Sequence, residues 1–286
     1  MGSIKIIGSI ALLLSFSNAL AGEITSTVFE KADNSSGFSG SVEVSASGGM
    51  IEDSIAGGFS LLFEGGYSGL SFAAAAPLRF TDEKTPEGKR TLIRSADWDE
   101  ASDFSRIIPY VSYGGNDTAY HLYAGLLSGV SMGHSSIVDG YYGAVDTDHY
   151  QAGVYLRYFG AAFGGEALLD NYLDPSWTAV RGYLRPLAFM NPPDILKRIT
   201  VGFTAAADFL APVKVKKDGN GAIILDRYYL PENETDEISV TGFDADWMIV
   251  ADKVFDFSLY FDYNLIAGVG EGLHTGFMIN AEGDQT

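Results

Sequence analysis

The chain has 286 residues, with 18 Lys+Arg against 37 Asp+Glu and a formal net charge of −19 at pH 7. That sign excludes a nucleic-acid partner held through its phosphates, which needs a basic surface. With no cysteine there is neither a disulfide framework nor a thiolate metal site. Beyond the N-terminal segment no apolar run approaches the about 20 residues of a helical membrane span.

The N-terminal segment reads as an export signal. Lys5 supplies the positive charge, Ile6 to Phe16 the apolar stretch, and Asn18-Ala19-Leu20-Ala21 ends in an Ala-x-Ala processing site. Cleavage after Ala21 leaves 22–286 as one domain. The apolar stretch is too short to serve as a bilayer anchor.

From there on, the recurring signal is alternation with period two, which places one set of side chains on each wall of a strand. Between Leu70 and Phe80 the apolar set is Leu70, Phe72, Ala74, Ala76, Leu78 and Phe80, with Arg79 on the other wall. Between 149 and 159 it is Tyr150, Ala152, Val154, Leu156 and Tyr158, opposite Gln151, Tyr155 and Arg157. Between 199 and 209 it is Ile199, Val201, Phe203, Ala205, Ala207 and Phe209, opposite Asp208. Phe243, Ala245, Trp247 and Ile249 face away from Asp244 and Asp246. From Phe255 to Leu265 the odd-numbered residues are apolar or aromatic, and the even-numbered ones include Asp256, Ser258, Asp262 and Asn264. Leu273, Phe277 and Ile279 oppose His274 and Asn280.

The pattern predicts about twelve strands, near 38–47, 55–64, 68–80, 104–114, 118–130, 149–159, 161–170, 177–189, 197–210, 238–250, 255–266 and 272–282. Several exceed the five or six residues usual in soluble sheets. Expected short links lie at 64–67, 114–117, around Gly160, at 190–196 and at 251–254, and long ones at 81–103, 131–148, 171–176 and 211–237. Within the last, Asp218-Gly219-Asn220-Gly221 is a tight-turn signal for a projecting hairpin. The 34 Gly, 18 Phe and 16 Tyr fit tightly curved β structure, and Trp177, Trp247, Tyr113, Tyr158 and Tyr263 fall where interfacial aromatics would sit.

Signal, alternating strands and alternating link lengths together resemble bacterial outer-membrane β-barrel proteins of the porin-like kind. The resemblance covers the mature chain and is architectural, without an active-site motif. It implies an all-β, transmembrane, antiparallel up-and-down barrel in the outer membrane of a Gram-negative bacterium. An even strand number would bring both termini to the periplasm. The family's usual terminal aromatic is absent from Asn280–Thr286, so about 10 to 16 strands are allowed if the chain is cut short.

The resemblance makes the inward walls the first place to look for function. They carry Arg79, Arg106, Arg157, Glu166, Arg181, Arg185, Asp208, Asp244, Asp246 and Asp262. The bases concentrate in the middle strands and the acids in the later ones, a pore lining with a transverse field for small polar solutes. The same residues could instead pack the lumen shut, leaving a membrane scaffold. Expected partners are outer-membrane lipids and lipopolysaccharide. Asp97, Asp99, Glu100 and Asp103 offer oxygen ligands for a structural Ca²⁺ without EF-hand spacing. His134 and His149 bracket a loop with Asp146 and Asp148 between them, in no standard metal-ligand spacing. Gly133-His134-Ser135-Ser136 is similar to the His-x-Ser arrangement of outer-membrane phospholipases and lipid A deacylases, and implies His134 as base, Ser136 as nucleophile and Asp146 or Asp148 as orienting acid. Where those enzymes follow the serine with asparagine, Ile137 stands here. A third reading is surface ligand binding or adhesion through the long acidic loops.

Overall fold

The structure is a computed structural model that describes residues 21–31, 38–51, 54–81, 92–94, 97–98, 101–115, 118–143, 150–225, 231–252 and 255–281. Among these residues the fold is all-β, with strands β1 (Ala21–Lys31), β2 (Phe38–Ile51), β3 (Ser54–Tyr67), β4 (Leu70–Thr81), β5 (Tyr110–Gly114), β6 (Tyr120–Leu126) and β7 (Ala152–Phe159). They continue as β8 (Phe163–Leu169), β9 (Trp177–Leu184), β10 (Ile199–Val215), β11 (Asn233–Ala251), β12 (Phe255–Ile266) and β13 (Gly270–Ala281). They form one antiparallel up-and-down sheet in chain order. The described residues cluster into two compact units, one running to Leu127 with Gly143–Gly153, the other comprising Ser128–Tyr142 and everything from Val154.

The alternation has an unusual consequence for burial. In β12 the apolar Leu259 and Phe261 are 43% and 47% exposed, whereas Ser258 and Asp262 on the opposite wall are 6% and 1% exposed. β9 repeats this, with Val180 and Leu184 exposed and Ala179, Arg181 and Tyr183 buried. In β10, Val201 and Phe203 are exposed while Thr200 and Thr204 are buried. A soluble sheet buries its apolar wall. Here the charged wall is the buried one.

The twelve expected strands correspond to β2–β13, and β1 was not anticipated. With β1 the described sheet has thirteen strands, within the expected range of about 10 to 16. Boundaries moved where proline intervenes. The strand expected at 104–114 is confined to Tyr110–Gly114, preceded by a 3-10 turn at Ser102–Ile107, because Pro109 has no N–H to extend the ladder. The strand expected at 177–189 stops at Leu184, and Pro186–Phe189 form a second 3-10 turn. The expected link at 64–67 is strand; the β3–β4 connection is the two-residue turn Ser68-Gly69, both at positive φ (49° and 83°), the geometry that matches strand twist in tight hairpins.

Much of the expected loop at 211–237 is strand, since β10 and β11 stay paired as far as Val215 and Asn233. Its tip is the anticipated turn: the Asp218 carboxylate accepts the amides of Asn220 and Ala222, each at 2.9 Å. These bonds hold that carboxyl below its ordinary range. Strict alternation of link length is not kept. The links after β4, β6 and β10 are long and those after β3, β7 and β11 short, but β12–β13 closes through 267–269, and β9–β10 carries a 3-10 turn and the helix α1 (Asp194–Lys197).

Gly125 shows how closely β5 and β6 approach. It has φ +148°, and a Cβ there would fall 2.7 Å from Tyr110 Cα and against the Pro109 carbonyl. Backbone atoms cannot yield as a side-chain tip can. Gly125→Ala is expected to destabilise the fold by about 2 kcal/mol or more, read as a lowered midpoint in urea titration; an unchanged midpoint would contradict this packing.

Candidate functional site

The second unit contains a row of charged side chains set by strand register. Arg157 on β7 lies opposite Glu166 on β8, which lies opposite Arg181 on β9. Arg181 pairs in register with Thr204, and Thr204 with Gly242. Two residues along β11, Asp244 lies opposite Asp262 on β12, and Asp262 opposite His274 on β13. All belong to the inner wall, so the row crosses seven neighbouring strands.

The row is bridged where glycine leaves room. Arg181 Nη2 donates to Asp244 Oδ1 at 2.7 Å across β10. This is possible because the intervening residue opposite Asp244 is Gly202, where a Cβ would sit 2.7 Å from the Asp244 carboxyl carbon. Both partners of the pair are more than nine-tenths buried. Breaking such a pair leaves an uncompensated charge, at a cost of about 3–5 kcal/mol.

Onto this row folds the segment Ser128–Tyr142. It is closed by antiparallel bridging of Val130 and Tyr141 and braced by the Met132 amide donating to Val138 O at 3.1 Å. Met132 and Val138 are buried. Gly133 has φ +57°, and its missing Cβ would meet Arg181 Nε at 2.7 Å; its amide donates to Glu166 Oε2 at 3.4 Å. Ile137 Cδ1 lies 2.7 Å from where a Cβ on Gly242 would be. Glycines on both sides thus allow the loop to touch the charged wall.

His134 is the centre of that contact. Its side chain is 5% exposed, and its Nδ1 lies 2.8 Å from Asp262 Oδ1. Its Nε2 faces Asp246 Oδ2 at 3.7 Å. The ring stacks on Tyr260 (centroids 4.8 Å apart, planes 27°), and Tyr260 meets His274 edge-on at 5.2 Å. Burial alone would lower the imidazole pKa; the carboxylates of Asp246 and Asp262 and the charge of Asp244 outweigh it, and the net shift is upward.

Of the ten expected lining residues, Arg157, Glu166, Arg181, Asp244 and Asp262 form the row, and Asp246 adjoins it. Asp208 caps its own strand bend by accepting the Leu210 amide at 3.0 Å. Arg185 follows β9 and donates to Ala161 O at 3.1 Å. In the first unit, Arg79 binds Asp97 at 2.7 Å, and Arg94 binds the same carboxylate at 2.9 Å. Arg106 lies in the 3-10 turn rather than on a strand and holds Asp103 at 3.1 Å. The two described members of the expected Ca²⁺ group, Asp97 and Asp103, are therefore buried against arginines; Asp99 and Glu100 lie outside the described residues.

For the His-x-Ser arrangement, Ser136 is exposed, His134 turns to Asp262 and Asp246, and Asp146 lies outside the described residues, as do Asp148 and His149. Sequence reasoning did not find Glu64, which accepts from Tyr110 Oη at 3.1 Å, or the cross-strand pair of Ser112 Oγ and His121 Nε2 at 3.1 Å. Comparison with protein-family models, with curated proteins and with solved structures finds no match to this chain.

Because the folded pKa of His134 lies above its unfolded value of about 6.5, its contribution to docking the loop is full below that pH. It is lost as pH rises through the raised folded value. Hydrogen-exchange protection of the Val130, Met132 and Tyr141 amides, corrected for intrinsic rates, should fall on that upward passage. A rise with pH, or the same profile in Asp262→Ala, would contradict the assignment.

Proposed function

We propose that the chain is an exported outer-membrane β-barrel that conducts small polar solutes past a charged constriction. In this reading the sheet closes on itself, its exposed apolar wall meets lipid, and its charged wall lines the lumen. The observation that carries it is the inversion of burial: charged residues inside, large apolar residues outside along successive strands. Extensive exposed apolar surface marks contact with a membrane or a partner, and strands of 12 residues such as β4, β12 and β13 suit a tilted crossing of the hydrocarbon layer.

A barrel of about twelve strands lies between those filled by side chains and those holding a wide channel. The loop Ser128–Tyr142 then sets how much of the lumen stays open. Arg157 and Arg181 on β7 and β9, beside Asp244, Asp246 and Asp262 on β11 and β12, would present adjoining basic and acidic sectors of one wall to a passing solute. The excess of carboxylates beside the loop favours cations over anions.

Two measurements test this. In planar lipid bilayers the full chain should give discrete openings, with larger conductance when 133–138 is replaced by a short Gly-Ser link and weaker cation preference in Asp246→Asn. Absence of openings in both the wild type and the shortened variant would sink the conduction reading. Separately, Phe203 and Phe243 form an exposed aromatic pair at 5.0 Å. Phe203→Lys should cost roughly 2–4 kcal/mol in bilayers if that wall is lipid-facing, against about 0.5 kcal/mol at an ordinary solvated surface.

A further inference from the structure

We infer that His134, Asp244 and Asp246 form a binding site for a divalent transition-metal cation, of which Zn²⁺ is the representative, tying the loop Ser128–Tyr142 to β11. One ligand atom from each of the three residues lies within 4.8 Å of the others. Metal–ligand bonds of about 2.0–2.2 Å hold neighbouring ligand atoms roughly 3–4 Å apart, and His134 Nε2 and Asp246 Oδ2 are 3.7 Å apart. That separation is too long for a good hydrogen bond and suits a cation between the two atoms. One imidazole with two carboxylates is a borderline donor set, matched to first-row divalent ions rather than to Ca²⁺, which takes six to eight oxygens.

The surroundings supply what such a site needs. Asp262 accepts from His134 Nδ1 at 2.8 Å, which fixes the tautomer, turns the Nε2 lone pair toward Asp246 and raises the basicity of the ring as an outer carboxylate does at metal-bound histidines. Arg181 takes Oδ1 of Asp244 and leaves its second oxygen for the ion.

The charge balance of the wall around the site bears on the same assignment. Asp262 is 1% exposed, yet its Oδ2 has no hydrogen-bond partner among the described residues, and faces His274 Nδ1 only at 3.5 Å. With His134 neutral, as metal binding through Nε2 requires, Asp244, Asp246, Asp262 and Glu166 outnumber Arg157 and Arg181 along this wall, and part-buried carboxylates in excess call for a counter-cation. A divalent ion at His134 supplies that charge.

The site needs only the folded chain, so its test is independent of conduction. Zn²⁺ is titrated into the purified full chain at pH 7.5 against a chromophoric chelator, with Co²⁺ absorption as a second readout. One saturable site per chain is expected, undisplaced by millimolar Ca²⁺. His134→Gln and Asp246→Asn, each checked for an unchanged β-sheet circular dichroism spectrum, should weaken it by more than about a hundredfold. Asp262→Asn, a positioning change, should weaken it by about 10–100-fold, and His149→Ala should leave it intact. No saturable binding by the wild type overturns the inference. So does full affinity in either ligand variant, or a loss on His149→Ala comparable with that on His134→Gln.

Discussion

A carboxylate removed from water persists as an anion only if a compensating charge or donor meets it. The inner wall of the second unit is organised by that constraint. Asp244 is met by Arg181, which reaches across β10, and Asp262 is met by His134 from the loop. Neither of these partners comes from an adjacent strand; cross-strand pairing adds only His274 on β13, whose Nδ1 stands 3.5 Å from Asp262 Oδ2. β11 and β12 instead set Asp244 directly opposite Asp262, a like-charge pair that is unfavourable alone. The guanidinium on one side and the imidazole on the other make the juxtaposition tolerable, and the loop is held where the charge requires it.

Space makes these pairings possible. Gly202 clears the path between β9 and β11, Gly133 lets the loop backbone lie on Arg181, and Gly242 admits Ile137. At Gly202 and Gly133 a methyl group would press on the charged groups themselves, and at Gly242 on the loop that carries His134. Packing and electrostatics are thus one arrangement here: small residues on the wall fix which charges can meet. The first unit reaches the same end differently, by folding Asp97 onto Arg79 and Arg94 and keeping Asp103 within the reach of Arg106, three residues away.

Strand positions and the two walls were legible because a period of two is written locally, residue by residue. Arg157, Glu166, Arg181, Asp244 and Asp262 were all assigned to the inner wall from that parity alone. Their partnerships were not legible. Arg181 and Asp244 are 63 residues apart, His134 and Asp262 128, and such contacts depend on register summed over intervening hairpins and on where a loop lies. The segment at 131–148 offers His134 only as a base beside Ser136 or a ligand beside His149, because its own residues carry no period that would set it against a wall. The readable hint was chemical: bases in the middle strands, acids in the later ones, and glycines at inner-wall positions between them. Proline accounts for two of the boundary differences, at Pro109 and Pro186, where side-chain alternation would have continued the strand.

The distance between His134 and its carboxylates along the chain also orders events in time. Hairpins such as β3–β4 and β12–β13 bring together residues close in sequence, so their closure costs little chain entropy. The segment Ser128–Tyr142 emerges long before β11 and β12, and has no acid to settle on until those strands have paired. Closing so long a stretch of chain is entropically slow, and it is rewarded only once the distant surface exists. The seating of His134 is therefore a late step in assembly, and an occupied seat is in effect a record that the C-terminal hairpins have found their register.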